Sequence, residues 1–184
     1  MAVRLNQSRS DFSLTVDLRE LFGEPVSEDV ALSFGQGVID TITDRLDDSK
    51  RLGGGKLKNY SDEYSESLVF KAFGKSRTSP NLELTGEMLA DLDIIEVTPT
   101  RLKIGFRDTT QRDKAYNHHT GDTVPARPFM GIEDKELKSL VERFKPEVSE
   151  SILDGIDPAS LFQTQEVSRR FSLLDVLRDL NGER

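Results

Sequence analysis

The sequence predicts an α+β fold: a small antiparallel sheet with a long packed N-terminal helix, further short helices and a helical C-terminal arm. Three observations predict it. Apolar residues alternate with polar ones from Phe12 to Leu18, apolar residues recur every four positions from Val30 to Leu46, and two alternating runs flank Pro99-Thr100.

Phe12, Leu14, Val16 and Leu18 against Ser13, Thr15 and Asp17 give a strand with one buried face, and this strand is expected to open the fold. Pro25 and Ser27 then start a helix. Ser27 is a good N-cap, Glu28 and Asp29 suit the positive end of the helix dipole, and Val30, Phe34, Val38, Ile42 and Leu46 form its buried stripe. The spacing predicts a helix over about Glu28–Asp48. Gly35 and Gly37 lie inside it at a cost of roughly 1 kcal/mol each relative to alanine. Close packing against another helix or subunit would account for them, and so would a helix that simply tolerates them.

Gly53-Gly54-Gly55 with Lys56, Lys58 and Asn59 reads as a flexible exposed loop. A helix is predicted over Ser61–Phe73, capped by Ser61 and ended by Gly74, and a short helix over Thr85 to about Leu92, with Thr85 as cap and Leu84 stapled onto Leu89. Ile95 and Val97, then Leu102, Ile104 and Phe106, make a β-hairpin around Pro99-Thr100. Asp113–His119 reads as a short helix ended by Gly121. The two prolines of Val124–Phe129 force extended backbone, with the form of an edge strand. Asp134–Phe144 is helical with Pro146 as its stop, and Phe171, Leu173, Leu174, Val176, Leu177 and Leu180 form a final amphipathic helix. This divides the chain into a domain over residues 1–145 and an arm over residues 146–184.

The 33 Asp and Glu against 25 Lys and Arg leave a net charge of -8, which opposes tight electrostatic binding of nucleic acid or of an anionic membrane. A wall of like charge would, however, let DNA slide past without sticking. A mean hydropathy of -0.49 implies a modest core whose apolar surface neighbouring subunits would complete. The absence of cysteine removes disulfides, thiol nucleophiles and cysteine-based zinc sites. No stretch approaches the roughly 20 apolar residues of a membrane span, and Met1–Ser10 lacks the apolar centre of a signal peptide, so a soluble protein not exported by that route is expected.

Motifs that carry chemistry fail on spacing. His118 and His119, the only histidines, are adjacent and point apart, unlike the i, i+4 pair that a metal needs. Gly35-Gln36-Gly37 lacks the third glycine of a dinucleotide fingerprint and lies within a helix, and Gly53-Gly54-Gly55-Lys56 lacks the spacing of a phosphate-binding loop. No catalytic residue, cofactor or metal ligand is assigned.

Four segments in order carry a resemblance: Gly53-Gly54-Gly55-Lys56-Leu57-Lys58-Asn59-Tyr60-Ser61 leading to Tyr64; Leu84-Thr85-Gly86-Glu87-Met88-Leu89; the hairpin; and Tyr116-Asn117-His118-His119-Thr120-Gly121 ahead of Pro125-Ala126-Arg127-Pro128-Phe129-Met130-Gly131-Ile132. Over roughly residues 28–144 the chain resembles the phage virion-morphogenesis and tail-completion family, which includes the Mu-type G protein and related neck proteins. The resemblance implies a non-enzymatic α+β subunit without cofactor, placed in the virion and, during assembly, in the host cytoplasm. It would form a homo-oligomeric ring at the head–tail junction, beside other connector and tail proteins, through which DNA passes. The chain departs from that pattern at Gly-Gly-Gly-Lys, where relatives carry an acidic residue and glycine, and in the arm after Pro146.

Tyr116, His118, Arg127, Phe129, Gly35 and Gly37 are the candidate subunit-interface residues. Arg127, its backbone preset between Ala126 and Pro128, suits a bidentate contact with a carboxylate of its own fold or of the next subunit, and Phe129 is a natural anchor. Alternative readings are a tail-terminator subunit capping the tail tube, a small metal-dependent hydrolase using His118 or His119 with acids, and a host-directed binding protein.

Overall fold

A computed structural model describes residues 2–74, 77–78, 80–82 and 86–154, with side chains to residue 150. The architecture is mixed α+β, as the sequence predicts. Strands β1 (Val3–Ser8), β2 (Asp11–Asp17), β3 (Leu92–Thr98) and β4 (Arg101–Phe106) form an antiparallel sheet in the order β1-β2-β4-β3. Between and after them come α1 (Leu18–Phe22), α2 (Glu28–Asp47), α3 (Asp62–Glu66), α4 (Leu68–Ala72), α5 (Glu87–Ala90), α6 (Thr109–Thr120) and α7 (Asp134–Asp154).

The register follows the apolar alternation. Leu14 lies between Leu5 and Ile104, and Val16 between Val3 and Leu102, so one face of the sheet is apolar across three strands. In the hairpin, Ile94 pairs with Ile104 and Glu96 with Lys103, which leaves Ile95 as the extra residue of a bulge. Helix α2 covers that face: Ala31, Phe34, Val38, Ile42 and Leu46 are fully buried. Its N-cap is Ser27, whose hydroxyl accepts from the Val30 amide at 3.3 Å.

Both helix glycines are explained by close approach inside the chain. A Cβ on Gly35 would stand 2.6 Å from Ile94 Cδ1 on β3, and one on Gly37 would stand 2.6 Å from Arg143 Nη2 and 3.1 Å from Leu140 Cδ2 on α7. Gly35 thus seats α2 on the sheet, and Gly37 seats α7 on α2.

Five features differ from the sequence reading. β1 precedes the strand expected to be first. Only Val3 and Leu5 alternate in it, and the Arg9-Ser10 connection has neither Gly nor Asn to announce a hairpin. The expected helix over Ser61–Phe73 is two short helices, because Ser67 adopts extended backbone (φ -61°, ψ 146°) and its hydroxyl caps the Phe70 amide. The short helix before β3 begins at Glu87 with Gly86, not Thr85, at its cap position, while Leu84 and Thr85 lie outside the described residues. Residues 124–129 belong to no strand and pair with none among the described residues.

Finally, Pro146 does not stop the last described helix. Leu140, Phe144 and Val148 are all buried on one face, and this burial carries α7 through a proline that costs a helix interior about 3 kcal/mol. The helix therefore crosses Lys145, and the amphipathic stretch from Phe171 to Leu180 lies outside the described residues.

Candidate functional site

The glycine-rich loop, the start of α3, the end of α6 and the Pro-rich run meet in one place. Gly53, Gly54 and Gly55 all take left-handed φ angles near 80°, a turn closed by hydrogen bonds from the Arg51 amide to the Gly55 carbonyl and from the Gly54 amide to the Arg51 carbonyl. The loop read as flexible is thus a tied turn. Its flanks hold the Pro-rich run: the Leu52 amide donates to the Pro128 carbonyl at 2.8 Å, and the Gly53 amide to Glu133 Oε1 at 3.0 Å.

Arg127 is the centre of this junction. Its Nε donates to the Lys58 carbonyl at 2.7 Å, its Nη2 to the Asn59 carbonyl at 2.9 Å, and its guanidinium lies 4.8 Å from the centre of the Tyr60 ring. No carboxylate among the described residues pairs with it, so the own-fold carboxylate considered from sequence is replaced by backbone carbonyls and an aromatic face. Burial holds its pKa below the ordinary arginine value.

The two histidines do point apart. His119 is buried against Phe12 and Phe129, and its Nδ1 accepts from the amides of Phe129 and Met130, both at 3.2 Å. It is a structural splint between α6 and the Pro-rich run, and accepting on Nδ1 requires the neutral ring. His118 faces Arg127 instead, with its Nδ1 buried and without a hydrogen-bond partner. Burial lowers both histidines to a pKa of about 4, the Arg127 charge adding to the effect at His118.

A pH dependence follows. The unfolded chain takes up protons on these histidines near pH 6.5, whereas the folded chain resists until about pH 4. Stability is therefore complete above 6.5 and falls as pH drops through that window. Urea unfolding midpoints are expected to decrease from pH 7 to pH 5, before Asp11 and Asp108, whose values are lowered below 3.8, contribute. A midpoint unchanged between pH 7 and pH 5 would contradict this assignment.

Arg45, which the sequence reading passed over, locks the same region from α2. Its side chain is 5% exposed, and it donates to Glu136 Oε2 at 2.6 Å and to the carbonyls of Phe129 and Gly131 at 2.6 and 2.7 Å. Glu136 Oε2 also accepts from the Glu133 amide at 2.8 Å, the glutamate half of a capping box at the start of α7. A signal existed in the sequence, since Arg45 falls on the buried side of α2, one residue before Leu46.

Among the candidate interface residues, Phe129, Arg127, Gly35 and Gly37 are buried inside the chain, so their contacts are met within this fold. Tyr116 is half-buried, with its ring edge-on to Phe12 and Arg9 over its face at 5.1 Å. The exposed surface nearby belongs to α3 and α4. Phe70 points inward and packs on Tyr60 and Tyr64, ring centres 5.2 Å apart, while Leu68, Val69 and Phe73 are 86%, 55% and 50% exposed. Three large apolar side chains exposed on α4 and its C-cap form a surface of the kind that partners cover.

No family model matches the chain, and no curated protein or solved structure matches it. No described helix is long and apolar enough to cross a membrane.

Proposed function

We propose that this chain is a structural subunit of a phage head–tail connector, a tail-completion protein that assembles into a ring joining or sealing head and tail. The observation that carries the reading is the outward face of α4. Covering Leu68 gains roughly 1.5–3 kcal/mol and covering the half-exposed Val69 and Phe73 about half of that each, enough to drive association of copies held at high local concentration on a particle.

Two further features support it. Two of the four segments that carry the family resemblance, residues 53–61 and 125–132, lie far apart in sequence and meet at Arg127 as one unit. That unit presents α3 and α4 from the Tyr60 end. A ring needs two different surfaces on each copy, because only heterologous contacts close around an axis, and the α4 face serves as one of them.

The hydrolase alternative asks for His118 or His119 on a metal. His119 Nδ1 is occupied by two amides, and His118 lies beside the Arg127 cation, which repels a second positive charge.

Quantitative mass spectrometry of purified particles from the phage that encodes the chain tests the reading. Peptides of the chain are expected at the few copies per particle of a single ring. Particles lacking them would remove it.

A further inference from the structure

Beside the junction lies an open cleft of about 300 Å³, walled by Tyr60, Ser61, Tyr64, His118, Pro125 and Arg127. We propose that this cleft is a binding site for a carboxylate group. The inference does not depend on the assembly reading, since it follows from the hydrogen-bond inventory of Arg127 and the contents of the cleft.

A guanidinium carries five N–H groups. Nε and Nη2 each use one on the carbonyls of Lys58 and Asn59, and Nη1 uses one on the Pro125 carbonyl at a long 3.4 Å. One N–H on each terminal nitrogen is left over, and the two terminal nitrogens together can meet the two oxygens of a carboxylate. The guanidinium is nearly buried, at 3% residue exposure, and no acidic side chain among the described residues neutralises it. An uncompensated buried charge is costly to the fold, and an arriving anion relieves that cost.

The remaining walls narrow the ligand. His118 Nδ1 is buried without a partner and can donate a third hydrogen bond in the tautomer that places the proton there. The Tyr60 and Tyr64 rings, 5.4 Å apart, give the carbon atoms behind the carboxylate an apolar surface. Among the described residues of the lining, Arg127 is the one formal charge. It balances a monoanion and would leave a phosphate dianion half uncompensated in a sheltered cleft.

The test is an NMR titration of the 15N-labelled full chain with sodium acetate, against sodium chloride at equal ionic strength. Acetate is expected to produce saturable shifts at the amides of Tyr60, Ser61 and His118 and at Arg127 Nε. An apparent Kd on the order of 1–10 mM is appropriate to so small a ligand. His118→Glu supplies a carboxylate from within and should abolish saturation. Val124→Glu does the same from a loop position at the cleft edge and keeps the test decisive if the first variant does not fold.

Two positive outcomes distinguish the source of the carboxylate. Self-association that excess acetate dissolves identifies an acidic side chain of a second copy, and acetate binding by a chain that stays monomeric identifies a free carboxylate or another partner. Acetate shifts no larger than those of chloride, or shifts that persist in a folded His118→Glu or Val124→Glu chain, would overturn the proposal.

Discussion

Replacement of Arg45 by methionine is expected to lower the unfolding free energy by about 3–5 kcal/mol, read as a reduced urea midpoint at pH 7. Methionine fills much of the arginine volume, so little of the loss comes from packing. The loss comes mainly from the carbonyls of Phe129 and Gly131, which lose this donor, while Glu136 Oε2 loses its ion pair and keeps the Glu133 amide. Each buried acceptor without a donor costs roughly 1–3 kcal/mol. Pairing the change with Glu136→Gln should restore only a part, because the two carbonyls stay unmet. A single-variant loss below about 1 kcal/mol would show that Arg45 does not hold the Pro-rich run in place.

The second large effect is on assembly and leaves the fold alone. Leu68→Asp combined with Phe73→Asp alters two side chains that are 86% and 50% exposed, so the unfolding free energy should fall by only about 1–2 kcal/mol, mostly from the half-buried Phe73 ring. If α4 meets a neighbouring subunit, each aspartate must lose its water inside an apolar contact, a penalty of several kcal/mol per charge. The ring should then fail to form, and particle production should collapse while the chain remains folded and abundant. Circular dichroism of the purified variant and plaque counts after complementation read the two halves separately. Normal plaque counts with the double variant would exclude the α4 face from assembly.

The parts of the fold legible in the sequence were those where one local pattern agreed with the final packing. The stripe from Val30 to Leu46 needed only the helical period, and the hairpin only alternation about Pro99-Thr100. Where contacts distant in sequence decided, reading along the chain fell short. Pro146 is a stop signal by local rules, yet burial of Val148 with Leu140 and Phe144 outweighs it. β1 is an edge strand that buries little, so it carries too few apolar residues to announce itself. Ser67 looks like any helical serine until its hydroxyl is seen capping Phe70.

The junction was legible in the same uneven way. Arg127 and Phe129 stood out from their proline neighbours, but what meets them did not. The carbonyls of Lys58 and Asn59 lie 69 and 68 residues away from Arg127, and backbone oxygens carry no sequence signature. Arg45 reaches partners 84 to 91 residues distant, which hid it among ordinary helix-surface arginines. The α4 face was hidden for another reason. Leu68, Val69 and Phe73 fall in what reads as one continuous helix over Ser61–Phe73, and the break at Ser67 leaves them outward while Phe70 stays in.

The most direct test of the central claim, that this chain is a ring subunit which assembles through α4, is competition for incorporation. Wild-type chain and the Leu68→Asp/Phe73→Asp chain would be co-expressed during one infection, and their distinguishing peptides counted by mass spectrometry in the lysate and in purified particles. The account predicts both chains in the lysate and wild type alone in the particles. Particles containing neither chain, or both in the lysate ratio, would contradict it.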